Sequence, residues 1–511
     1  MENRITLYID TFSFIIKFKN YEDFTYIANF CRTHLTTYNT NYDAKRRRYV
    51  RELDREFYIK NEEDLSFRLP IGILSYVMKE LGLNGVSRED VLVLKTRSVK
   101  YEDIEKLSVN DISGMELRDY QQEYVDILTD LDRPNMLLID MATGGGKGFC
   151  LAQSMLRLNL RTALLIIPTY IDKWVIEFKK YFDVENDEIF VVQGSDSIRY
   201  LASLSKEEIK YKIFILSLRT ITNFINDSLN GNTESYGITP DNFLSHLGVG
   251  LLASDETHQH FHAVYTSLLF LNTERLIAMS ATLHSNNKDI QRMYDLIFPK
   301  HKKLSGIYNP ENYVNVVAVN YELESLKGVK FKRQKGYNHN LYEQTIMKKR
   351  FFLTDYLDMI IYYLEKYYLR FRKEGDKALL FFASIDMCTY VTAQLRDKYK
   401  YLDVRRYVQD DPYENIINAD ISISTYGSAG VGLDIPNLIT VIATHTTLSP
   451  QLNLQTLGRL RRIKDRELHF VYTYTNMISS QRNSNKERKS LYMEKAKEYL
   501  YESYPKKIRV I

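Results

Sequence analysis

The chain has 511 residues, which is enough for about three domains of ordinary size. Hydrophobic residues make up 44% of it and charged residues 26%, which suits a soluble globular protein and argues against a disordered one. The formal net charge of +4 is mildly basic, so it is compatible with a nucleic-acid partner without requiring one.

Nothing in the sequence indicates a membrane or an export route. No apolar stretch approaches the length of a membrane span, and the first residues, MENRITLYID, lack the apolar core of a secretory signal. The three cysteines, Cys31, Cys150 and Cys388, are far apart, which favours neither a disulfide framework nor a zinc site. We expect a cytoplasmic protein in a reducing compartment, with no membrane partner.

Residues 1–112 are predicted to form a small, separate α+β domain. RITLYIDTFSFIIKF alternates like a strand, and YEDFTYIANFCRTHL has helical periodicity. KRRRYVRELDREFYIKN is predicted to be a hairpin with charge on one face. LPIGILSYVMKELG is predicted to be a helix, with Pro70 in its first turn and Gly82 just past its end.

Two series of short apolar runs follow, and helical patterns separate the runs. Near-continuous Leu, Ile and Val runs that alternate with helices are typical of a parallel sheet covered on both faces. The first series is NMLLIDMAT (135–143), TALLIIPT (162–169), EIFVVQG (188–194), KIFILS (212–217), VGLLASDE (249–256) and RLIAMSAT (275–282). The second series is KALLFFAS (377–384), DVRRYVQ (403–409), DISIST (420–425), LITVIATH (438–445) and ELHFVYTYT (467–475).

We therefore predict two α/β domains in tandem, at residues 113–305 and 306–484. The lysine-rich stretch KGVKFKRQKG (327–336), close to their junction, is predicted to be an exposed loop or hairpin. Residues 485–511 are predicted to be a charged amphipathic helix with a basic tail.

The stretch DMATGGGKGFC (140–150) resembles a phosphate-binding loop between a strand and a helix. The residues of this loop are Thr143, Gly144, Gly145, Gly146, Lys147 and Gly148. Glycine backbone N–H groups would cradle phosphate, the helix N-terminus would add its dipole, and Lys147 would neutralise phosphate oxygens. Met141 replaces the first glycine of the motif, and Gly148 replaces the Ser or Thr whose hydroxyl binds Mg²⁺. A flexible glycine turn is the alternative.

The segment ASDETHQH places Asp255 and Glu256 directly after an apolar strand, where open α/β sheets bind their ligands. An Asp at this place can hold Mg²⁺, and a neighbouring Glu can orient or deprotonate the attacking water. A solvated cap is the alternative. Upstream, LRDYQQ (117–122) supplies Arg118 and Gln121, whose guanidinium plane and amide suit an adenine.

The segment QTLGRLRR (455–462) supplies Gln455, Arg459 and Arg462 after the strand LITVIATH. Two arginines three residues apart are expected on one face of a helix. Guanidinium groups bind γ-phosphate bidentately and stabilise the charge of phosphoryl transfer. The alternative is a basic helical surface.

The order of these motifs resembles that of the superfamily 2 helicases. Nine segments follow the order of the Q motif and motifs I, Ia, Ic, II, III, IV, V and VI: LRDYQ, TGGGKG, PTYIDKW, LSLRT, DETH, SAT, FFAS, TYGSAGVGLDIPN and QTLGRLRR. Each segment is short enough to occur by chance. Nine segments in this order, most of them at the end of a predicted strand, are not explained by chance.

The resemblance implies two RecA-like domains with ATP and Mg²⁺ in the cleft between them, with arginine fingers reaching across. The residues that would bind nucleotide, metal or water are Arg118, Gln121, Lys147, Asp255, Glu256, Gln455, Arg459 and Arg462, with Gly432 and Asp434 near the ribose or phosphates. Asp255 would bind the metal. The residues that would hold the backbone of the tracked strand are Thr169, Thr220, Ser384 and Thr425.

Within the superfamily the chain is similar to the phage UvsW-type branch-migration helicases. RRRYVRELDREFY followed by LPIGILSYVMKELGLNG is similar to the small N-terminal DNA-binding domain of that group. The residues that would grip duplex phosphates are Lys45, Arg46, Arg47 and Arg48. A solvated face is the alternative for this basic run.

The similarity implies an ATP-dependent DNA helicase or translocase that unwinds or branch-migrates forked and four-way DNA. It further implies a monomer that acts in phage replication, recombination or repair, in the host cytoplasm and alongside phage proteins of those processes. An RNA helicase and a translocase that moves duplex DNA without unwinding it stay open as alternatives. Since Gly148 removes a metal ligand, a hydrolysis-impaired nucleic-acid-binding module is a further alternative.

We also predict the roles of four other side chains and the effect of replacing Gly148. Trp174, in motif Ia, is expected to abut the strand or to pack within its own domain, and His258 is expected to couple the ATP and DNA sites. His260 and His262 are expected to fill the core or the surface. For Gly148 we expect an active ATPase with an unusual magnesium requirement, in which one more water replaces the hydroxyl. Gly148→Thr is then expected to keep or raise activity at low magnesium, and a collapse would show that the backbone or close packing needs the glycine.

Overall fold

The computed structural model describes residues 3–43, 48–96, 103–141, 144–280, 283, 288–308, 312–333, 336–429, 435–447 and 449–511. Residues 39–43, 48–49, 51 and 451 are described by their backbone alone. The chain divides into two compact units, Met1–Asn309 and Pro310–Ile511. Within the described residues, no helix is long and apolar enough to cross a membrane.

The first unit begins with a small α+β region, as predicted. Its elements are β1 (Ile5–Ile9), β2 (Ser13–Phe18), α1 (Tyr21–His34), β3 (Thr36–Asp43), β4 (Arg48–Glu56), β5 (Ile59–Asn61), β6 (Ser66–Pro70), α2 (Leu74–Leu83) and β7 (Val91–Lys95). The five-stranded sheet has the order β5-β6-β2-β1-β7. The hairpin predicted within residues 45–61 is wrong in its partner, because β4 pairs with the preceding strand β3 and β5 joins the five-stranded sheet.

The predicted start and end of α2 are wrong. Pro70 has an extended backbone and ends β6, because the fixed φ of proline suits the end of a strand as well as a first helical turn. A short 3₁₀ turn, Ile71–Ile73, separates it from the helix, which continues through Gly82.

A seven-stranded parallel sheet forms the rest of the first unit. Its strands are β8 (Met136–Asp140), β9 (Thr162–Ile166), β10 (Ile189–Val192), β11 (Ile213–Ser217), β12 (Leu251–Ser254), β13 (Arg275–Ser280) and β14 (Lys303–Leu304). Its helices are α3 (Asp119–Thr129), α4 (Lys147–Leu158), α5 (Ile171–Tyr181), α6 (Ser195–Ser203), α7 (Leu218–Leu229), α8 (Pro240–His246), α9 (Phe261–Phe270) and α10 (Lys288–Ile297). The order β10-β11-β9-β12-β13-β8-β14 confirms the six predicted strands and adds β14.

The N-terminal region and the first parallel sheet share one hydrophobic core. Arg68 of β6 pairs with Asp241 at the start of α8, with 2.5 Å between Nη1 and Oδ1. The Tyr265 hydroxyl of α9 donates to the Phe57 carbonyl, just past β4. These contacts attach both the small sheet and the base of the β3–β4 hairpin to helices of the larger sheet. The predicted division at residue 112 stays a prediction.

The second unit contains another seven-stranded parallel sheet. Its strands and hairpin are β15 (Val314–Leu323), β16 (Lys332–Arg333), β17 (Gly336–Tyr337), β18 (Lys377–Phe382), β19 (Val404–Tyr407), β20 (Ile421–Thr425), β21 (Leu438–Ala443), β22 (Leu468–Tyr474) and β23 (Glu498–Ile508). Its α-helices are α11 (His339–Met347), α12 (Arg350–Leu364), α13 (Ile385–Lys398), α14 (Glu414–Asn418), α15 (Tyr426–Ala429), α16 (Pro450–Leu457) and α17 (Ser479–Met493).

The order of the second sheet is β19-β20-β18-β21-β22-β15-β23, and all five predicted strands are confirmed. The lysine-rich stretch forms the hairpin β16–β17. The predicted basic tail is wrong for most of its length, because β23 pairs with β15 in parallel. The tyrosines of EYLYESY favour a strand, and Tyr504 and Ile508 bury their side chains.

Candidate nucleotide-binding site

The glycine run lies between β8 and α4, in a turn whose backbone suits glycine. Gly144 and Gly146 have φ values of +90° and +87°, which residues with a side chain rarely adopt. Lys147 is the first residue of α4, and its Nζ is buried without a hydrogen-bond acceptor among the described residues. A buried ammonium without an acceptor is costly, so the loop and Lys147 together suit an anion at the helix N-terminus.

The Q-motif side chains support this loop. The Gln121 amide donates to the Gly145 carbonyl at 3.0 Å, and its oxygen accepts from the Arg118 backbone N–H at 3.0 Å. The Tyr120 hydroxyl also donates to Gly145, at 3.0 Å. A Cβ on Gly146 would lie 2.3 Å from the Gln121 amide nitrogen, so this glycine permits the close approach. The contact of Gln121 and Arg118 with adenine stays a prediction.

The two acidic residues follow β12, at the edge of the sheet where α4 begins. Asp255 Oδ1 accepts from the Glu256 backbone N–H at 2.8 Å, and Asp255 Oδ2 accepts from the Trp174 indole N–H at 3.1 Å. Burial and the Glu256 charge raise the pKa of Asp255, whereas the positive charges of Lys147 and Lys173 oppose that rise. The opposing effect of Lys147 shows that motifs I and II interact electrostatically.

His258 connects motif II to the end of β13. Its Nδ1 lies 2.8 Å from the Ser280 hydroxyl and 3.5 Å from Glu256 Oε2. Burial, with the Lys147 charge, lowers the pKa of His258 to about 4, so the ring is neutral at pH 7. These contacts fit the coupling role predicted for His258 without testing it.

The other two histidines of this segment differ in surroundings. His260 is exposed before α9, and His262 Nε2 lies 2.7 Å from the Glu56 carbonyl of β4. The described residues contain no group of three or more side chains that could hold a metal ion. A magnesium site here would therefore draw on Asp255, on phosphate and on water.

Gly148 is packed against α5. A Cβ on Gly148 would lie 2.7 Å from Glu177 Oε2 and 3.4 Å from Trp174 Cη2. Trp174 is 2% exposed and packs within its own unit, one of the two outcomes predicted for it. A threonine at position 148 requires the Glu177 carboxylate to move, and the expectation that Gly148→Thr keeps or raises activity at low magnesium stays a prediction.

The four residues predicted to hold the tracked strand differ in how their hydroxyls are engaged. Thr169 is exposed in a turn after β9, and Thr220 is buried and accepts from the Gly194 N–H at 2.9 Å. Thr425 ends β20, with its hydroxyl 3.1 Å from that of Ser428.

Ser384 follows β18 and is held by a buried carboxylate. Glu343 of α11 accepts from the Ala383 N–H at 2.7 Å, from the Ser384 N–H at 2.8 Å and from the Ser384 hydroxyl at 2.7 Å. Burial raises the pKa of Glu343 to about 7, and the three donors oppose that rise. Sequence reasoning missed this residue, because nothing in NLYEQT indicates a buried acid.

The arginines of motif VI lie beyond a helix, so the expectation that they share a helical face is wrong. Gln455 lies in α16, which ends at Leu457 with Gly458 as its C-cap. Arg459 follows in a turn and is buried, whereas Arg462 lies in the irregular segment after it and is exposed. Gly458 keeps a right-handed backbone, with φ of −67°, so the helix ends without a left-handed glycine cap.

Several predicted residues lie outside the described part of the chain. These are Lys45, Arg46, Arg47, Thr143, Gly432 and Asp434, together with the last two residues of SAT, 281–282. Arg48 begins β4, and only its backbone is described.

Comparison with known proteins gives one sequence family and a set of similar structures. The family described as "type III restriction enzyme, res subunit" matches residues 114–285. No curated protein matches the chain significantly. The structure of Saccharomyces cerevisiae Dbp5 bound to RNA and ADP BeF3 is 12% identical, covers 77% of this chain and 91% of its own, and has a TM-score of 0.50.

Two further structures show lower overall similarity. The Pyrococcus furiosus Hef helicase domain is 13% identical, with a TM-score of 0.42 and coverage of 72% of this chain and 98% of its own. T4 UvsW is 13% identical, with a TM-score of 0.35 and coverage of 100% of both chains. At such identities the similarity to Dbp5 is one of fold. The match over residues 114–285 and the two RecA-like parallel-sheet domains confirm that this chain resembles the superfamily 2 helicases, as the order of its motifs predicts.

Proposed function

We propose that the chain is an ATP-dependent helicase or translocase that acts on DNA, with forked and four-way DNA as its preferred substrates. The observation that carries the proposal is the buried Lys147 ammonium, which has no acceptor among the described residues and lies in the electrostatic field of Asp255. A phosphate chain at the N-terminus of α4 would supply the missing acceptor.

Each residue of the site has a role in this proposal. The loop N–H groups and Lys147 bind the phosphates, Asp255 holds Mg²⁺, and Glu256 orients or deprotonates the attacking water. When bound, Mg²⁺ neutralises the charge that develops on the phosphate oxygens. Asp255 and the loop suit this ion, because Mg²⁺ keeps several waters and takes few protein ligands.

The second unit would contribute positive charge to the same reaction. We assign Arg459 and Arg462 as the arginine fingers, with Gln455, Gly432 and Asp434 near the nucleotide. Arg462→Ala should reduce nucleic-acid-stimulated ATPase activity by on the order of 100-fold or more. Unchanged stimulation in this variant would contradict the role of Arg462 and would leave the ATPase proposal in place.

The preference for DNA is supported by the N-terminal region. Its sequence is similar to the small DNA-binding domain of UvsW-type helicases, and its hairpin is attached to α9, the helix that follows motif II, through Tyr265 and His262. Lys45, Arg46, Arg47 and Arg48 would contact duplex phosphates, so affinity should fall steeply with salt. The protein would act as a monomer in the host cytoplasm, alongside phage replication or recombination proteins.

The test is an ATPase assay with single-stranded, duplex, forked and four-way DNA and with single-stranded RNA. We expect stimulation by DNA, strongest with the branched forms, and strand separation that depends on ATP. Glu256→Gln is the matched control, because it keeps the shape of the site and removes the base. Stimulation by RNA alone would replace DNA with RNA as the substrate, and no ATP turnover under any condition would contradict the enzyme proposal.

A further inference from the structure

Gly148 occupies the position at which phosphate-binding loops usually carry a Ser or Thr hydroxyl, and Trp174 lies next to it. In related loops Mg²⁺ is held from two sides, by the Ser or Thr of the loop and by the motif II Asp. Gly148 has no hydroxyl, so the protein's direct contribution to the metal rests on Asp255. The orientation of that one carboxylate therefore matters more than in a site with two protein ligands.

Trp174 fixes this orientation from a separate helix. Its indole N–H donates to Asp255 Oδ2 at 3.1 Å, while Oδ1 accepts from the Glu256 backbone N–H at 2.8 Å. One donor on each oxygen holds the carboxylate plane and leaves each oxygen a further lone pair. The indole is 2% exposed, so water does not compete for this hydrogen bond.

The glycine and the indole depend on each other. A Cβ at position 148 would lie 3.4 Å from Trp174 Cη2, in van der Waals contact with the indole, and 2.7 Å from Glu177 Oε2. Any residue larger than glycine therefore contacts the indole directly and displaces the Glu177 carboxylate. The absence of the hydroxyl and the presence of the tryptophan are parts of one arrangement.

We propose that Trp174 is a positioning residue for magnesium-dependent ATP hydrolysis, and that Gly148 is the small residue that makes room for it. The indole N–H orients Asp255 toward the metal. This inference rests on the proposed ATPase function, and it assigns the magnesium dependence of that function to a residue outside motifs I and II. Groups that orient a metal ligand typically change metal affinity by about 10- to 100-fold.

The test compares Trp174→Phe with the unaltered chain. Phenylalanine keeps an aromatic ring in the core and removes the N–H. The magnesium concentration for half-maximal ATPase activity should rise by about tenfold. In a Glu256→Gln background, the magnesium concentration needed for tight binding of a fluorescent ATP analogue should rise by about the same factor. Binding of the analogue in EDTA should stay unchanged, which a general loss of structure would not allow.

Tyr181→Phe is the matched control, because it removes one donor from the same helix in the same core. Its magnesium dependence should equal that of the unaltered chain. Gly148→Ser alone should weaken magnesium binding by crowding Trp174 and Glu177. In the double variant with Trp174→Phe, Gly148→Ser should recover most of the lost magnesium affinity. The serine hydroxyl can then bind the metal in place of the lost indole contact, and the smaller phenyl ring leaves room for it.

The outcomes separate this inference from the function on which it rests. A magnesium requirement of Trp174→Phe within about twofold of the unaltered chain would overturn the role of Trp174 and leave the ATPase intact. If the unaltered chain does not bind or hydrolyse ATP, the proposed function is wrong. Should Trp174→Phe not fold, the single tryptophan still provides a test. Its emission should change when Mg²⁺ is added to the nucleotide-bound protein, and an unchanged emission would overturn the proposal.

Discussion

Two strand-end sites, one in each unit, use charge in opposite ways. After β8, the Lys147 ammonium is buried without an acceptor among the described residues. After β18, the Glu343 carboxylate is fully buried and accepts three hydrogen bonds from Ala383 and Ser384. The fold is similar in both places, so the difference lies in what completes each charge. Among the described residues the first site offers no acceptor and suits an anionic ligand, whereas the second is already complete and is a structural support.

Lys147→Met provides the strongest test of the first half of this comparison. Methionine keeps most of the side-chain volume and removes the charge. ATP turnover should fall by on the order of 100-fold or more, because the phosphates lose their charge partner. Folding stability should not fall, since a buried charge without an acceptor is removed. A large loss of stability in urea would show that Lys147 is a structural residue.

Glu343→Ala tests the second half. Three donors lose their acceptor and a cavity forms, so the free energy of unfolding should fall by about 3 kcal/mol. Trp174 is the only tryptophan and reports on the first unit, whereas circular dichroism reports on both. In urea the dichroism transition should shift while the tryptophan transition stays in place. Glu343→Gln is the control, because it keeps one acceptor oxygen. Its free energy of unfolding should fall less than that of Glu343→Ala.

The stability of the second unit should depend on pH through another buried group, His445. Burial, with the Arg488 charge, lowers the pKa of His445 to about 4 from an ordinary 6.5. The pKa of His445 is lower in the folded chain than in the unfolded chain. The contribution of the neutral ring to the free energy of unfolding is therefore complete above pH 6.5 and is lost as the pH falls toward 4.

His445→Phe removes this titration and keeps the ring that stacks on Tyr426 at 4.9 Å. When the pH is lowered from 7.5 to 5.5, the free energy of unfolding of the unaltered chain should fall by about 1 kcal/mol more than that of the variant. Urea titrations at both pH values measure this difference. Equal losses would mean that His445 titrates normally in the folded chain.

The smallest effects should distinguish two of the predicted strand-binding residues. Thr169 is exposed, whereas the Ser384 hydroxyl donates to Glu343 at 2.7 Å. Thr169→Ala should weaken binding of single-stranded DNA by about two- to fivefold, because it removes one net hydrogen bond. Ser384→Ala should lower stability more than affinity. If Ser384→Ala weakened binding more than Thr169→Ala, the distinction between a ligand site and a structural support would fail here.

Much of the fold follows from local pattern. Each of the eleven apolar runs forms a strand, because near-continuous Leu, Ile and Val runs of that length suit a sheet covered on both faces. β23 was missed because it is a polar edge strand, and edge strands carry charge and tyrosine more than apolar residues. β15 is apolar, but it lies in the stretch assigned to the junction of the two domains.

The site was predictable only where its residues are close in sequence. Lys147, Asp255 and Glu256 follow from motifs at strand ends. The hydrogen bond from Trp174 to Asp255 joins residues 81 positions apart, and that from Ser384 to Glu343 joins residues 41 positions apart. Such pairs depend on how helices pack on the sheet, which short-range periodicity does not encode. Gly148 was a local signal of a missing metal ligand, but its place beside Trp174 is not encoded in the motif.

The position of β23 in the second sheet has a consequence for synthesis of the chain. β15 lies between β22 and β23, and its register with β23 runs from Asn315–Glu498 to Leu323–Ile508. During translation β15 emerges early and its outer edge stays without a partner until residue 508 has left the ribosome. The nascent chain therefore carries an open strand edge for most of the time that its second unit takes to be made. Chaperone binding and premature aggregation should concentrate in this interval.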